Sequence, residues 1–121
     1  MNSTNTAEIL TIQGKNTVKS IQDLKQQVKK QNKERSDLYE KFCANEHSFR
    51  VYTHMDPNIR ESNEVQTFLQ KVELLNDNFI GVNTELQTMV DEEKVKETYK
   101  EVMEAYNDMV KSLGFDQDVL S

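Results

Sequence analysis

Three residues of the types that bind metals or perform nucleophilic chemistry lie close together in this sequence: Cys43, His47 and His54. A thiol and an imidazole four residues apart share one face of a helix, where they can bind zinc or act as nucleophile and base. A structural zinc site usually has four nitrogen or sulfur ligands, whereas this chain has one cysteine and two histidines in all. We therefore predict that these side chains face solvent and hold neither a metal nor a cofactor.

The other signatures of catalysis are also missing from the sequence. The three glycines stand alone at positions 14, 81 and 114, so they form no phosphate-binding loop and no nucleophile elbow. Carboxylates are spread along the chain in the manner of a solvated helix surface. The sequence therefore predicts no catalytic residues and a protein that is not an enzyme.

Nucleic-acid binding has one candidate segment, which is rich in basic side chains. Its members are Lys25, Lys29, Lys30, Lys33 and Arg35. Phosphate recognition requires a dense basic surface, but these residues alternate with Gln and Asn in a chain of net charge −6 and pI about 4.9. We do not expect nucleic acid as a partner.

The elements that carry these residues must be helices. The chain has 121 residues, 36% of them apolar, which suits one domain with a modest core. Three glycines and one proline cannot supply the turns of a multi-stranded sheet. The composition predicts an all-α protein.

A long helix over 17–53 is predicted by the first run of apolar residues at spacings of three and four. This first ladder contains Ile21, Leu24, Val28, Leu38, Phe42, Phe49 and Tyr52, with Gln31, Arg35 and Asn45 at its polar steps. Pro57 ends it, because proline fixes φ and lacks an amide donor. Asp56 is then predicted to be the N-cap of the next helix and Pro57 its first residue.

A second helix over 57–90 and a third over 92–113 follow. The second ladder is Val65, Phe68, Val72, Leu75, Phe79, Val82, Leu86 and Met89, and the third is Val95, Tyr99, Val102, Tyr106, Met109 and Leu113. The two ladders are out of step by one residue, which favours a break near Asp91, and Gly114 supplies a C-terminal stop. We predict an antiparallel three-helix bundle over 15–114; the alternative is a two-helix coiled-coil hairpin that oligomerises.

Two terminal segments flank the predicted bundle. Residues 1–14 are expected to be an N-terminal extension, partly mobile or a short helix, because Gly14 interrupts its apolar cluster. Residues 115–121 form a C-terminal tail that mixes acidic and apolar side chains. Such a tail can dock on a partner or fold back on its own domain.

The predicted helix lengths leave one end of the first two helices uncovered by the shorter third helix. We call this end the hairpin-tip surface; it consists of Phe42, Phe49, Tyr52, Val65, Phe68 and Leu69. Large exposed apolar patches commonly mark protein contacts, so we expect a protein partner or self-association there. The alternative is that these residues pack across the tip.

The layout resembles that of tubulin-binding cofactor A, a small three-helix chaperone. The resemblance covers a long helix, a loop with Asp56-Pro57, Ile59-Arg60 and Glu64-Val65, and two further helices, without a proline near Asn76 in the second helix. It implies a chaperone function as one alternative. We expect an intracellular, cytoplasmic protein-interaction module without a membrane span, serving as an adaptor, an assembly subunit or a small chaperone. A further alternative is an obligate coiled-coil subunit of a larger complex.

Overall fold

The computed structural model describes residues 3–26, 33–80 and 92–120, and every regular element within them is helical. The predicted all-α class is therefore confirmed. The elements are α1 (Ser3–Gln26), α2 (Lys33–Thr53), α3 (Pro57–Arg60), α4 (Asn63–Ile80), α5 (Glu92–Ser112) and a 3-10 turn (Asp116–Asp118).

The first two helices form an antiparallel pair. The amide of Asn45 on α2 donates to the Ser20 hydroxyl and, at 3.4 Å, to the carbonyl of Asn16. Phe49, four residues further along α2, lies beside Gly14, which is earlier on α1. Because contact positions rise along α2 as they fall along α1, the two helices run in opposite directions.

The other two long helices form a second antiparallel pair. Lys71 on α4 is 2.8 Å from Glu101 on α5, and Asn78 donates to Thr98 at 3.3 Å. The contact positions again rise along one helix as they fall along the other.

The two pairs pack against each other through contacts of α2 with α4 and of α1 with α5. Tyr39 on α2 donates to Asn76 on α4 at 2.7 Å, and Gly14 on α1 lies beside Met109 and Tyr106 on α5. In the described part of the chain, the four long helices therefore form an up-down-up-down bundle in which neighbouring helices are antiparallel.

The continuous first helix predicted over 17–53 is wrong, and with it the three-helix arrangement. α1 and α2 run antiparallel and share that range, with residues 27–32 outside the described residues. Apolar periodicity could not reveal this, because Leu24 on α1 and Phe42 on α2 both face one core. A ladder of core-facing residues looks the same whether one helix or two supply it.

Residues 3–14 belong to α1 rather than to a separate extension. Ala7 and Leu10 are buried in the core, so this segment is integral to the bundle. Gly14 does not interrupt the helix. A Cβ at this position would lie only 3.1 Å from Met109 Cε and 3.3 Å from Tyr106 Cε1, so the missing side chain lets α1 and α5 approach closely.

The predicted cap at Pro57 is confirmed. The Asp56 carboxylate accepts from the amide of Asn58 at 3.0 Å, and Pro57 opens α3. This helix is a single turn, and α4 begins only at Asn63, so the predicted helix over 57–90 is divided. The break near Asp91 falls within 81–91, outside the described residues, and α5 begins at Glu92 as predicted.

The predicted helix stop at Gly114 is also confirmed, and the tail after it folds back. Gly114 has φ of +92°, and the amide of Phe115 donates to Val110 O at 2.8 Å, which closes the helix end. Phe115 and Leu120 pack against the core. The tail thus forms part of the domain.

Candidate functional site

The predicted hairpin-tip surface is not exposed. Of its six members, Phe42, Phe49, Val65, Phe68 and Leu69 have exposed fractions between 0% and 7%, and Tyr52 is half-buried. The expectation of an open aromatic patch made of these residues is therefore wrong, and the alternative of a packed tip agrees with their burial. The reason is the extra helix: α1 and α5 cover side chains that a two-helix tip would have left in water.

These aromatic residues instead form the centre of the core. The rings of Phe49 and Phe68 meet edge to face with centroids 5.1 Å apart, and the ring of Tyr106 lies 6.0 Å from that of Phe68. Edge-to-face pairs are the arrangement that aromatic rings prefer. Gly14 adjoins both Phe49 and Tyr106, so all four long helices meet at this cluster.

Cys43, His47 and His54 do not converge into a site. Cys43 is half-buried, whereas both histidines are exposed. No three described residues among His, Cys, Asp and Glu are grouped so that they could hold a metal ion. Whether the protein is an enzyme remains a prediction.

The tyrosine next to Cys43 has a strongly shifted pKa. Burial, the neighbouring Cys43 thiol and the Glu46 carboxylate raise the pKa of Tyr39 to about 12. The hydrogen bond with Asn76 lowers this pKa, but by less than the other causes raise it. A phenol with this pKa keeps its proton at neutral pH and donates to Asn76. Its role is therefore to join α2 to α4.

The basic candidate segment is only partly described. Lys25 Nζ lies 4.2 Å from the centroid of the Tyr99 ring on α5, which is a cation-π contact within the domain. Lys29 and Lys30 lie outside the described residues, and the side chains of Lys33 and Arg35 are likewise not described. The described member thus joins α1 to α5.

Three exposed apolar side chains lie at the same end of the α1–α2 pair. They are Ile12 on α1, Val51 on α2 and Met55 just after α2, with exposed fractions of 52%, 47% and 57%. We call them the outer apolar surface.

The helix register places these residues at one level along the α1–α2 pair. Gly14 packs against Phe49, so Ile12, two residues earlier on α1, lies at the level of Val51, two residues later on α2. Two residues are about 200° of helix rotation, so both side chains point away from the core and into solvent. Met55 lies in the turn that follows α2, four residues after Val51 and at the same end of the pair. On the same helices Ile9 and Tyr52 are half-buried, and Tyr52 packs against the core.

Sequence reasoning missed this surface because it selected residues that follow the apolar ladder. Residues of an apolar ladder are those expected to face the core, because their spacing places them on one side of a helix. Phe49 and Tyr52 belong to the first ladder, whereas Val51 between them does not. The available signal was an apolar residue off the ladder, such as Val51. Ile12 carried no such signal, because the first ladder was predicted to begin beyond it.

Comparisons with known proteins add no family to this description. No described helix combines the length and the apolar composition that crossing a bilayer requires. A scan against protein-family models, a search of curated proteins and a search of solved structures each found no match.

Proposed function

We propose that this chain is a non-enzymatic protein-interaction module that binds a protein partner through the outer apolar surface. In this role it serves as an adaptor, an assembly subunit or a small chaperone. The observation that carries the proposal is that Ile12, Val51 and Met55, each about half exposed, lie at the same end of one helix pair. Single exposed apolar residues are ordinary on protein surfaces, whereas a group of them favours a contact site.

The energetics suit the centre of a reversible interface. Fully burying an aliphatic side chain is worth about 1.5–3 kcal/mol, so covering the exposed halves of three such residues contributes roughly 3 kcal/mol. A stable interface covers about 800 Å² on each partner, which is more than three side chains provide. The contact therefore extends over neighbouring polar residues, with the outer apolar surface at its centre.

The surface suits a partner that presents an amphipathic helix. Two antiparallel helices leave a shallow groove between them, and an apolar helix face can lie in such a groove. Exposed His47 on α2 and exposed His54 just after α2 flank Val51 in the sequence, and exposed Glu8 lies one turn before Ile12 on α1. These residues would form the polar rim around the apolar centre.

We favour this function over the two alternatives considered from the sequence. An obligate coiled-coil subunit requires an apolar stripe that one chain cannot cover, whereas Phe42, Phe68 and Val102 are all buried within a single chain. A chaperone like tubulin-binding cofactor A would have three helices with a long first one. Here α1 and α2 form an antiparallel pair instead.

The test is a matched pair of substitutions, Val51→Asp and Leu74→Asp. Leu74 lies on α4 in the other helix pair and is 48% exposed, almost the same as Val51, so it controls for the general effect of an added surface charge. Both variants should keep the wild-type melting temperature, because exposed substitutions usually change stability by less than about 0.5 kcal/mol.

The binding measurement uses a photo-crosslinking residue placed at position 51 or at position 74. We expect a specific protein crosslink in cell extract from position 51 alone, and its loss when Ile12→Asp is added. Equal crosslinking from both positions would contradict the proposal. A crosslinked dimer of this chain, with concentration-dependent mass in light scattering, would replace the hetero-partner with a second copy and also contradict it.

A further inference from the structure

The tail after Gly114 docks through contacts that resemble recognition of a bound peptide. The side-chain amide of Asn107 on α5 donates to the carbonyl of Leu120 at 2.9 Å and accepts from the amide of Leu120 at 2.8 Å. One side chain thus satisfies both backbone groups of one tail residue. This pairing supplies the two hydrogen bonds that a neighbouring strand offers to an extended peptide, and it does not depend on which residue the peptide carries there.

Other contacts involve both the side chains and the backbone of the tail. Lys15 on α1 lies 2.9 Å from the Asp118 carboxylate, and the Tyr106 hydroxyl donates to the Asp118 carbonyl at 3.1 Å. The Leu120 side chain packs against the core, while that of Val119 between them is 39% exposed. The recognised pattern is therefore an aspartate, any residue, and a leucine.

We propose that Lys15, Tyr106 and Asn107 form a peptide-recognition site for segments of the type Asp-x-Leu, which the chain's own tail occupies in cis. The charge of Lys15 matches an acidic residue, the core edge accepts the leucine, and Asn107 fixes the backbone. None of these contacts depends on the covalent link through Gly114. A partner segment of the same chemistry can take the place of the tail.

The tail then acts as a built-in competitor. A tethered segment has an effective concentration in the millimolar range, so it outcompetes a free peptide of equal intrinsic affinity at lower concentrations. If the tail is docked for more than about nine-tenths of the time, the apparent Kd for a free peptide rises at least about tenfold. This site borders the outer apolar surface, because Lys15 lies three residues after Ile12 on α1. Its contacts with the tail involve none of Ile12, Val51 and Met55, so different substitutions test the two proposals.

The test uses the full chain with a disabled tail, Asp118→Lys with Leu120→Asp, which leaves Lys15, Tyr106 and Asn107 intact. The probe is a fluorescein-labelled, amidated peptide with the sequence of residues 115–121, and binding is measured by fluorescence anisotropy. We expect the variant to bind the peptide at least tenfold more tightly than the wild-type chain. A control peptide that carries the same two substitutions should not bind to either protein.

Adding Asn107→Leu to the disabled-tail chain should weaken peptide binding at least tenfold, because it removes both backbone hydrogen bonds while keeping a side chain of similar size. Circular dichroism and thermal melting establish that each variant is folded. If the double tail variant does not fold, the milder Leu120→Ala chain takes its place, with the same expected order of affinities. A folded tail variant that does not bind the peptide, or that binds it equally well with Asn107→Leu, would overturn the proposal.

Discussion

Replacing Phe68 with alanine should remove the centre of the core. Phe68 is fully buried and its ring contacts those of Phe49 and Tyr106, so the substitution removes a large side chain where the four long helices meet. Buried Phe→Ala changes cost about 3–5 kcal/mol, because the lost transfer free energy and the cavity add together. We expect a loss of about 4 kcal/mol in the free energy of unfolding.

This loss converts into a large fall in melting temperature. With about 2.1 cal/mol/K per residue, a chain of 121 residues has an unfolding entropy near 250 cal/mol/K at its midpoint. A loss of about 4 kcal/mol therefore lowers Tm by about 15 °C. Urea denaturation, followed by circular dichroism, gives the free energy, and thermal melting gives Tm.

Leu74→Ala on the same helix is the matched control. Leu74 is 48% exposed and leucine and alanine are both good helix formers, so this change should cost less than about 1 kcal/mol. A double-mutant cycle with Phe49→Ala should show a coupling of about 0.5–1.5 kcal/mol for the edge-to-face pair. The packing described for α1, α2, α4 and α5 would be refuted if Phe68→Ala cost no more than Leu74→Ala.

Three further predictions concern a close contact, a cap and a titration. Gly14→Val should destabilise the protein by about 1–3 kcal/mol, because even a Cβ there would lie 3.1 Å from Met109 Cε; a neutral result in urea denaturation would contradict this close approach. Asp56→Ala should cost about 1 kcal/mol in the same assay by removing the cap of α3, whereas Asp56→Asn keeps an acceptor oxygen and should cost less; equal losses would argue against the capping role. Burial, with Asp118 adding to it, raises the pKa of Tyr106 from 10.0 to about 12, so the folded protein keeps a proton that the unfolded chain loses. The free energy of unfolding should therefore fall as pH rises from about 10 to about 12, and Tyr106→Phe should show a smaller fall over that range; identical pH profiles would contradict the assignment.

The local features of the chain were predictable where short-range chemistry fixes them. Asp56 and Pro57 begin a helix because a carboxylate accepts free amides and proline fits the first turn. Gly114 ends α5 because its positive φ disfavours a side chain. The ladder residues Val65, Phe68 and Val102 are buried because their spacing places them on one helix face.

The candidate site depended on information that the ladders do not contain. The hairpin-tip surface was predicted as exposed because helix lengths were counted for three helices, and a fourth helix covers it. Gly14 appeared to interrupt a helix, yet its position in α1 is explained by Met109 and Tyr106, more than 90 residues away in the sequence. Asn107 gave no local signal, since its partner is the backbone of a tail that folds back on α5.

The sequence by itself determined an all-helical domain, its main core residues and two helix ends, because periodicity and capping act within a few residues along the chain. Only the tertiary structure decided how many helices share the core and which apolar side chains remain in water. Ile12, Val51 and Met55 become a surface, and Phe49 and Phe68 become a core, through the packing of α1 against α2 and α5. Burial is a property of the whole assembly of helices, and no spacing within one segment can specify it.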